Sequence, residues 1–474
     1  MGGGELQLIT KGQLDAYLTG NPEISYFKHT YKRHTNFSID SFKLDFDSIK
    51  PSLINGTMSN NIYRCKINRY GDLLSHLYLC YTLPDVYSSD VYRFKWIENV
   101  GTMILKSAKI TANGLTIDNI TGEWLIIWNE LILDDVEGYN KITGNIDNVI
   151  NPSNNKTIIR ISNNKFYDVS YPASEINSTT PSINSYDITL PLKFWFSRNP
   201  ALALPLIQMQ NTEVYLNIEI ENAEKLYQVY DNNLDLYISP SYYNTLNKTN
   251  ININSFVKTI DLNAYIEAYY FYLDTNERTA LINMPASILV EQLEILNDIK
   301  YTGSTSETIL TINLNSHKLT KEIVWIIKRD DNNKFNTHNN YTATIPENTR
   351  DGIMKNAKIL WNSSYERVEE KPAYYYNYIQ PYQYHTKIPK QGIYTYSFDI
   401  YPEKWAPSGY FNGTILDTGI IITFNGNYNN NTINSLLTKY YSGNEYTFGY
   451  TVSIYVLSYN FFEIMGGVCA MKYM

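Results

Sequence analysis

A chain of 474 residues is long for one core and suits two domains of roughly 200 residues each. With 43% hydrophobic and 18% charged residues, the composition is that of a globular protein and excludes disorder along most of the length. A formal charge of −8 argues against wrapping nucleic acid over the whole surface, because counterion release needs a basic face, but it leaves room for a local basic patch.

In chain order, Met1–Thr10 (MGGGELQLIT) lacks the charged-then-apolar pattern of a signal peptide, and Leu6 stands where a myristoylation signal wants Ser or Thr. No apolar run approaches the ~18 residues of a membrane span. Residues 1–25 are expected to form an arm that is ordered only in an assembly. The stretch Gly20–Ile39 (GNPEISYFKHTYKRHTNFSI) then packs two histidines, three cations and four aromatic rings together. Lys28, Lys32 and Arg33 beside Tyr26, Phe27 and Tyr31 suit stacking on a nucleic acid. The same pattern suits a strand whose rings face a core while its cations reach solvent or an acidic neighbour, and the acidic total charge favours this second reading.

Thr121–Leu133 (TGEWLIIWNELIL) places Trp124, Ile127, Trp128, Leu131 and Ile132 at helical spacing, which predicts a short amphipathic helix capping a sheet. Core packing is the expected role of its tryptophans, ahead of a ligand platform. Strands dominate elsewhere. Val214, Leu216, Ile218 and Ile220 alternate with polar residues, as do Tyr394, Tyr396, Phe398 and Ile400, and Val452, Ile454 and Val456. The 44 tyrosines and abundant Asn and Ile fit strands and polar turns, although nucleotide bias toward A and T would give the same excess. Polar stretches at 134–185, 329–390 and 425–445 read as long loops. A fourth, within 221–254, reads as a connection between domains. The expected division is an arm (1–25), a first sandwich (26–222), a connection (223–256) and a second sandwich (257–474). The fold class is all-β, with jelly rolls one way of managing sheet edges.

A search for chemistry assigns no catalytic residue, no cofactor-binding residue and no metal ligand. The six histidines include no HExxH and no pair four apart, and His29 and His34 would face opposite sides of a strand. No GxSxG, Walker or GxGxxG motif occurs. Asp134 and Asp135 read as a solvated turn after the helix. Cys65, Cys80 and Cys469 lie far apart and read as reduced thiols. Asn155, Asn177, Asn340 and Asn362 open glycosylation sequons, of a number expected by chance in so Asn-rich a chain.

GNPEISYFKHTYKRHTNF resembles the N-terminal motif of the major capsid proteins of nucleocytoplasmic large DNA viruses. Further blocks resemble that family in its own order: Val100–Leu131 with its GEWLIIWNEL helix, Leu190–Ile220 with FWFSRNPALALPL, Ala268–Leu281, and Tyr394–Thr414 with PEKWAPSGYFNGT. The resemblance implies two tandem eight-stranded jelly-roll β-sandwiches with short helices and long surface loops. It implies homotrimers forming pseudo-hexagonal capsomers that tile an icosahedral shell, so the chain would be a virion protein assembled in the host cytoplasm, without cofactor or active site. Its expected partners are itself, neighbouring capsomers, minor capsid or cement proteins and a penton protein, with no direct nucleic-acid contact and only indirect contact with an inner membrane. The opening stretch then becomes the first strand of the first jelly roll, with Lys28, Lys32 and Arg33 as assembly contacts. Two alternatives accompany this reading: a minor capsid paralogue, and a glycan-binding β-sandwich using the tyrosines of Tyr374–His385.

Overall fold

The computed structural model describes residues 2–473 apart from 48–49, 54–60, 153–170, 233, 235, 285, 303–306, 315, 345–351, 363–364 and 426–448. Alternating strands dominate, and they arrange themselves twice in the same way. The first set is β1 (Phe37–Leu44), β2 (Ile62–Lys66), β3 (Leu73–Leu83), β4 (Leu105–Ala112), β5 (Leu115–Ile120), β6 (Tyr186–Leu192), β7 (Val214–Ile220) and β8 (Tyr265–Leu273). These form two antiparallel sheets, ordered β1-β8-β3-β6 and β2-β7-β4-β5.

The second set is β9 (Ala286–Ile295), β10 (Thr308–Asn313), β11 (Leu319–Arg329), β12 (Met354–Trp361), β13 (Tyr365–Pro372), β14 (Ile393–Ser397), β15 (Thr418–Phe424) and β16 (Tyr450–Met465). Its sheets run β9-β16-β11-β14 and β10-β15-β12-β13, the same order strand for strand. Each set is an eight-stranded jelly roll, as the resemblance implies. The repeat lies in topology alone, since burial rather than residue identity sets it. In β7, Val214, Leu216, Ile218 and Ile220 enter the core while Tyr215, Asn217 and Glu219 face outward.

The expected helix forms as α1 (Gly122–Ile132), with Thr121 Oγ1 accepting from Trp124 N at 3.2 Å as its N-cap. Only glycine fits at 122, because a Cβ there would lie 2.4 Å from the carbonyl oxygens of Thr102 and Leu105. Asp135 caps the next helix (Val136–Thr143) through Gly138 N at 2.8 Å, where a solvated turn was expected.

Four expectations need correction. The basic–aromatic stretch carries no strand: the first begins at Phe37, and Tyr26, Phe27 and Tyr31 stand exposed outside any core. The exposed arm therefore runs to residue 36, with short helices at Gly3–Ile9 and Asp15–Thr19. Residues 223–256 are not a connection. Tyr227–Asp231 pairs with Phe94–Trp96 and Leu236–Ile238, and Tyr227, Ile253 and Phe256 join the first core. Nor does the second sandwich begin at 257, since β8 pairs with β1 and β3 and supplies the eighth strand of the first. The two are linked instead by a short helix, Thr275–Asn283. Finally, the polar stretch 329–390 contains β12 and β13. Only Val368 of β13 is buried, so that strand shows no alternation.

Candidate inter-sandwich junction and assembly surface

Alternation predicts half-buried strands, yet nearly all of β11 and all of β14 are buried. Two helical segments are the reason: α1, which leaves the first sandwich to cover the outer face of the second, and residues 375–384, which pack along β14. Trp124, Ile127, Trp128 and Leu131 pack on Leu293, Val324, Ile326, Ile393, Tyr455 and Leu457. Trp124 and Trp128 stack at 5.3 Å, and Trp124 lies 5.2 Å from Tyr455. Glu123 accepts from Lys328 Nζ at 2.8 Å and from the Tyr455 hydroxyl at 2.9 Å, and Lys387 N donates to Leu131 O at 2.9 Å. The tryptophans serve a core as expected, but one shared by both sandwiches.

Beside this apolar contact lies a buried group of four charges. Arg198, from the FWFSRNP block, pairs with Glu291 on β9, which also pairs with the fully buried Lys321 of β11. Asp399 lies 4.0 Å from Lys321 Nζ and accepts from the Tyr459 hydroxyl at 2.7 Å. Two cations and two carboxylates balance, which is what a buried cluster requires. Arg198 also rests over the Trp128 ring at 5.1 Å.

His385 sits next to this group, between Glu322 (Nε2 to Oε1, 2.5 Å) and Glu403 (Nδ1 to Oε1, 3.3 Å). Burial favours the neutral ring, but the two carboxylates outweigh it and push the pKa up to about 9 from an ordinary 6.5. A pKa raised on folding stabilises fully below the unfolded value and loses that contribution as pH rises through the folded one. Urea midpoints are therefore expected to fall between pH 7 and pH 10, and His385→Gln to flatten that decline. An equal slope in the variant would refute the assignment.

The residues expected to act lie elsewhere. Lys28, Lys32 and Arg33 are exposed along the arm, and the structure brings none of them into the junction. Asn155 lies outside the described residues. Asn177 is exposed in a turn, and so is Asn362, whose Oδ1 accepts from Asp417 N at 3.0 Å. Asn340 is buried, with its side chain bonded to Thr342 and Thr344, so it is no glycan acceptor in the folded chain. The tyrosine stretch Tyr374–His385 is helical, with Tyr376 packed 5.1 Å from Trp325 and His385 in the network above. Sequence reasoning missed Arg198, Glu291, Lys321, Glu322 and Asp399. One signal was available: the pair Lys321-Glu322 opens an otherwise apolar run, Ile323–Ile327, an odd place for charges without partners.

Among the described residues no group of three His, Cys, Asp or Glu is placed to hold a metal, and no helix is long and apolar enough to cross a membrane. All three cysteines are free and buried; burial pushes Cys65 up to about 12 and Cys469 to about 11, far from reactive thiolates.

Two jelly rolls held side by side by a shared core, with a bare arm at one end, define a structural protein of the double jelly-roll class. A family model of the major capsid protein N-terminus matches residues 25–274, and one of the large eukaryotic DNA virus major capsid protein matches 277–470. The chain belongs to the major capsid protein family of large eukaryotic DNA viruses. Among its relatives, the major capsid protein of Phaeocystis pouchetii virus is 28% identical over 100% of both chains. Capsid protein 1 of Acanthamoeba polyphaga mimivirus is 30% identical over 77% of this chain and 55% of its own length. The PBCV-1 capsid structure shares the fold at a TM-score of 0.67 and 21% identity, covering 95% of this chain and 100% of that one. The Faustovirus major capsid protein does so at 0.66 and 12%, over 96% and 95%.

Proposed function

We propose that this capsid protein works as a homotrimer, presenting its two jelly rolls three times around a threefold axis as a pseudo-hexagonal capsomer. The observation that carries the reading is the repeated strand order in two sandwiches joined by a common buried junction. Three rigid pairs make six similar faces, so one gene product can tile a hexagonal lattice. Weak contacts between capsomers suffice, because a closed shell adds many of them. Assembly in the host cytoplasm belongs to the same reading, as do minor capsid or cement proteins and a penton protein as partners. Lys28, Lys32 and Arg33 are proposed as assembly contacts, in keeping with the preference of interfaces for arginine.

Light scattering of the purified protein is expected to give roughly three times 54.9 kDa, with a hexagonal outline in negative stain. A monomer at every concentration would overturn the trimer. In the same assay Arg33→Ala should lower the yield of trimer or of shell-like assemblies; an unchanged yield removes Arg33 from the contact.

A further inference from the structure

Leu14, Tyr17, Leu18, Tyr26, Phe27 and Tyr31 are all exposed, Phe27 fully, and apolar surface left in water on such a scale marks a segment built to be covered. Among the described residues, exposed aromatic side chains gather at Tyr374 and Tyr382 and again in one loop of the second roll. In the 398–417 loop, between β14 and β15, Ile400, Tyr401, Trp405, Tyr410 and Ile415 all face solvent.

This loop is not slack. Asp399 accepts from Tyr401 N at 3.2 Å and from Ser408 Oγ, on top of its bond from Tyr459. Glu403 accepts from Thr386 N at 2.6 Å, Lys404 O accepts from the buried Lys321 Nζ at 2.9 Å, and Gly413 N donates to Lys318 O at 2.9 Å. At Gly409 the loop presses so closely on the strand before it that a Cβ would lie 2.6 Å from Phe398 O. The polar side of the loop is thus spent on the buried charge network, which leaves its aromatic side outward and already ordered. A preordered Trp and Tyr patch is the composition of a binding hot spot, because little entropy is lost when it is covered.

Both features point to the same end of the molecule. The arm enters at Phe37, opposite Leu273, whose N–H bonds to Asp72, and Asp72 pairs with Arg278 at the start of the link between the rolls. Asn211 and Thr212, at that end of the first roll, bond to Gly467 just beyond β16, and the loop lies at the Leu319 end of β11, beside Tyr459 of β16. From the root at Phe37, the chain back to Tyr31 and Leu14 reaches roughly 20 to 75 Å when extended, enough to pass from one molecule to the next. The arm leaves the loop of its own copy bare.

We propose that residues 14–31 of one copy dock on the 398–415 loop of a second copy. The inference rests on the trimer reading above and names one of its contacts: a heterologous, arm-to-loop interface that closes into a ring at three copies. The rings of Tyr17, Tyr26 and Phe27 would cover Trp405, Tyr401 and Tyr410, and Lys28, Lys32 and Arg33 would lie along the rim.

The test uses full-length chains. Chains carrying His29→Cys and chains carrying Ala406→Cys are co-expressed so that they share oligomers, with each expressed alone as control, the native cysteines being buried, and the samples are treated with a short bifunctional maleimide. A product of twice 54.9 kDa is expected only on co-expression, falling about tenfold when Trp405→Ala is added to the second chain. Absence of that product from a sample that light scattering shows to be oligomeric would overturn this docking and leave the trimer standing, with the arm assigned to another virion protein. In a third variant carrying both cysteines on one chain, a cross-link within single chains and none between the co-expressed single variants would also overturn it. A monomer at every concentration would overturn both proposals.

Discussion

Replacing Glu291 by alanine is expected to destabilise the folded chain by about 3–5 kcal/mol, the cost of leaving buried charge without its partner. Glu291 bridges Arg198 from the first jelly roll and Lys321 from the second, and Lys321 has no route to water. Asp399, at 4.0 Å, cannot neutralise both cations alone. Denaturant titration of the variant checks the magnitude. Lys321→Met in the Glu291→Ala background should recover part of the loss, since removing both charges removes the uncompensated one. A Glu291→Ala midpoint within error of the parent would show the cluster to be solvated in solution.

Trp124→Ala is expected to cost a similar amount, about 3–5 kcal/mol, from lost burial and the cavity left behind. Its second effect is more diagnostic. Trp124 belongs to a core shared by α1 and the β9-β16-β11-β14 sheet, so its removal weakens the coupling between the rolls as well as each roll. Calorimetry of the parent should show one cooperative transition and that of the variant two. A single transition at lower temperature would mean that the remaining contacts, the charge cluster together with Val290, Phe462 and Ile464 packed in the first roll's core, suffice to unite the rolls.

Much of this architecture was legible in local pattern. The alternation of Val214–Ile220 and the helical spacing of Trp124–Leu131 each predict an element that forms, because both faces of the pattern are decided by nearby residues. The boundary between the rolls was not legible. β8 looks like any other strand, and only its pairing with β1, some two hundred residues earlier, places it in the first roll. The opening stretch misled for a related reason: aromatic residues beside cations describe a half-buried strand and an undocked arm equally well until a partner is known. The junction charges were hidden because Arg198, Glu291, Lys321 and Asp399 are far apart in sequence and meet only through the fold.

The position of β8 also governs the order in which the protein can be made. Among the described residues β1 pairs with β8 alone, and β8 fills the slot between β1 and β3. During vectorial synthesis at roughly 5–20 residues per second, that slot stays open for tens of seconds, until residue 273 has left the ribosome. Such long-range closure is slow and leaves two strand edges bare while it lasts, exposed to aggregation. It also means that the arm, tethered through β1, gains a fixed root only when the first sandwich is complete. The segment that would reach a neighbour is the last of that sandwich to be anchored.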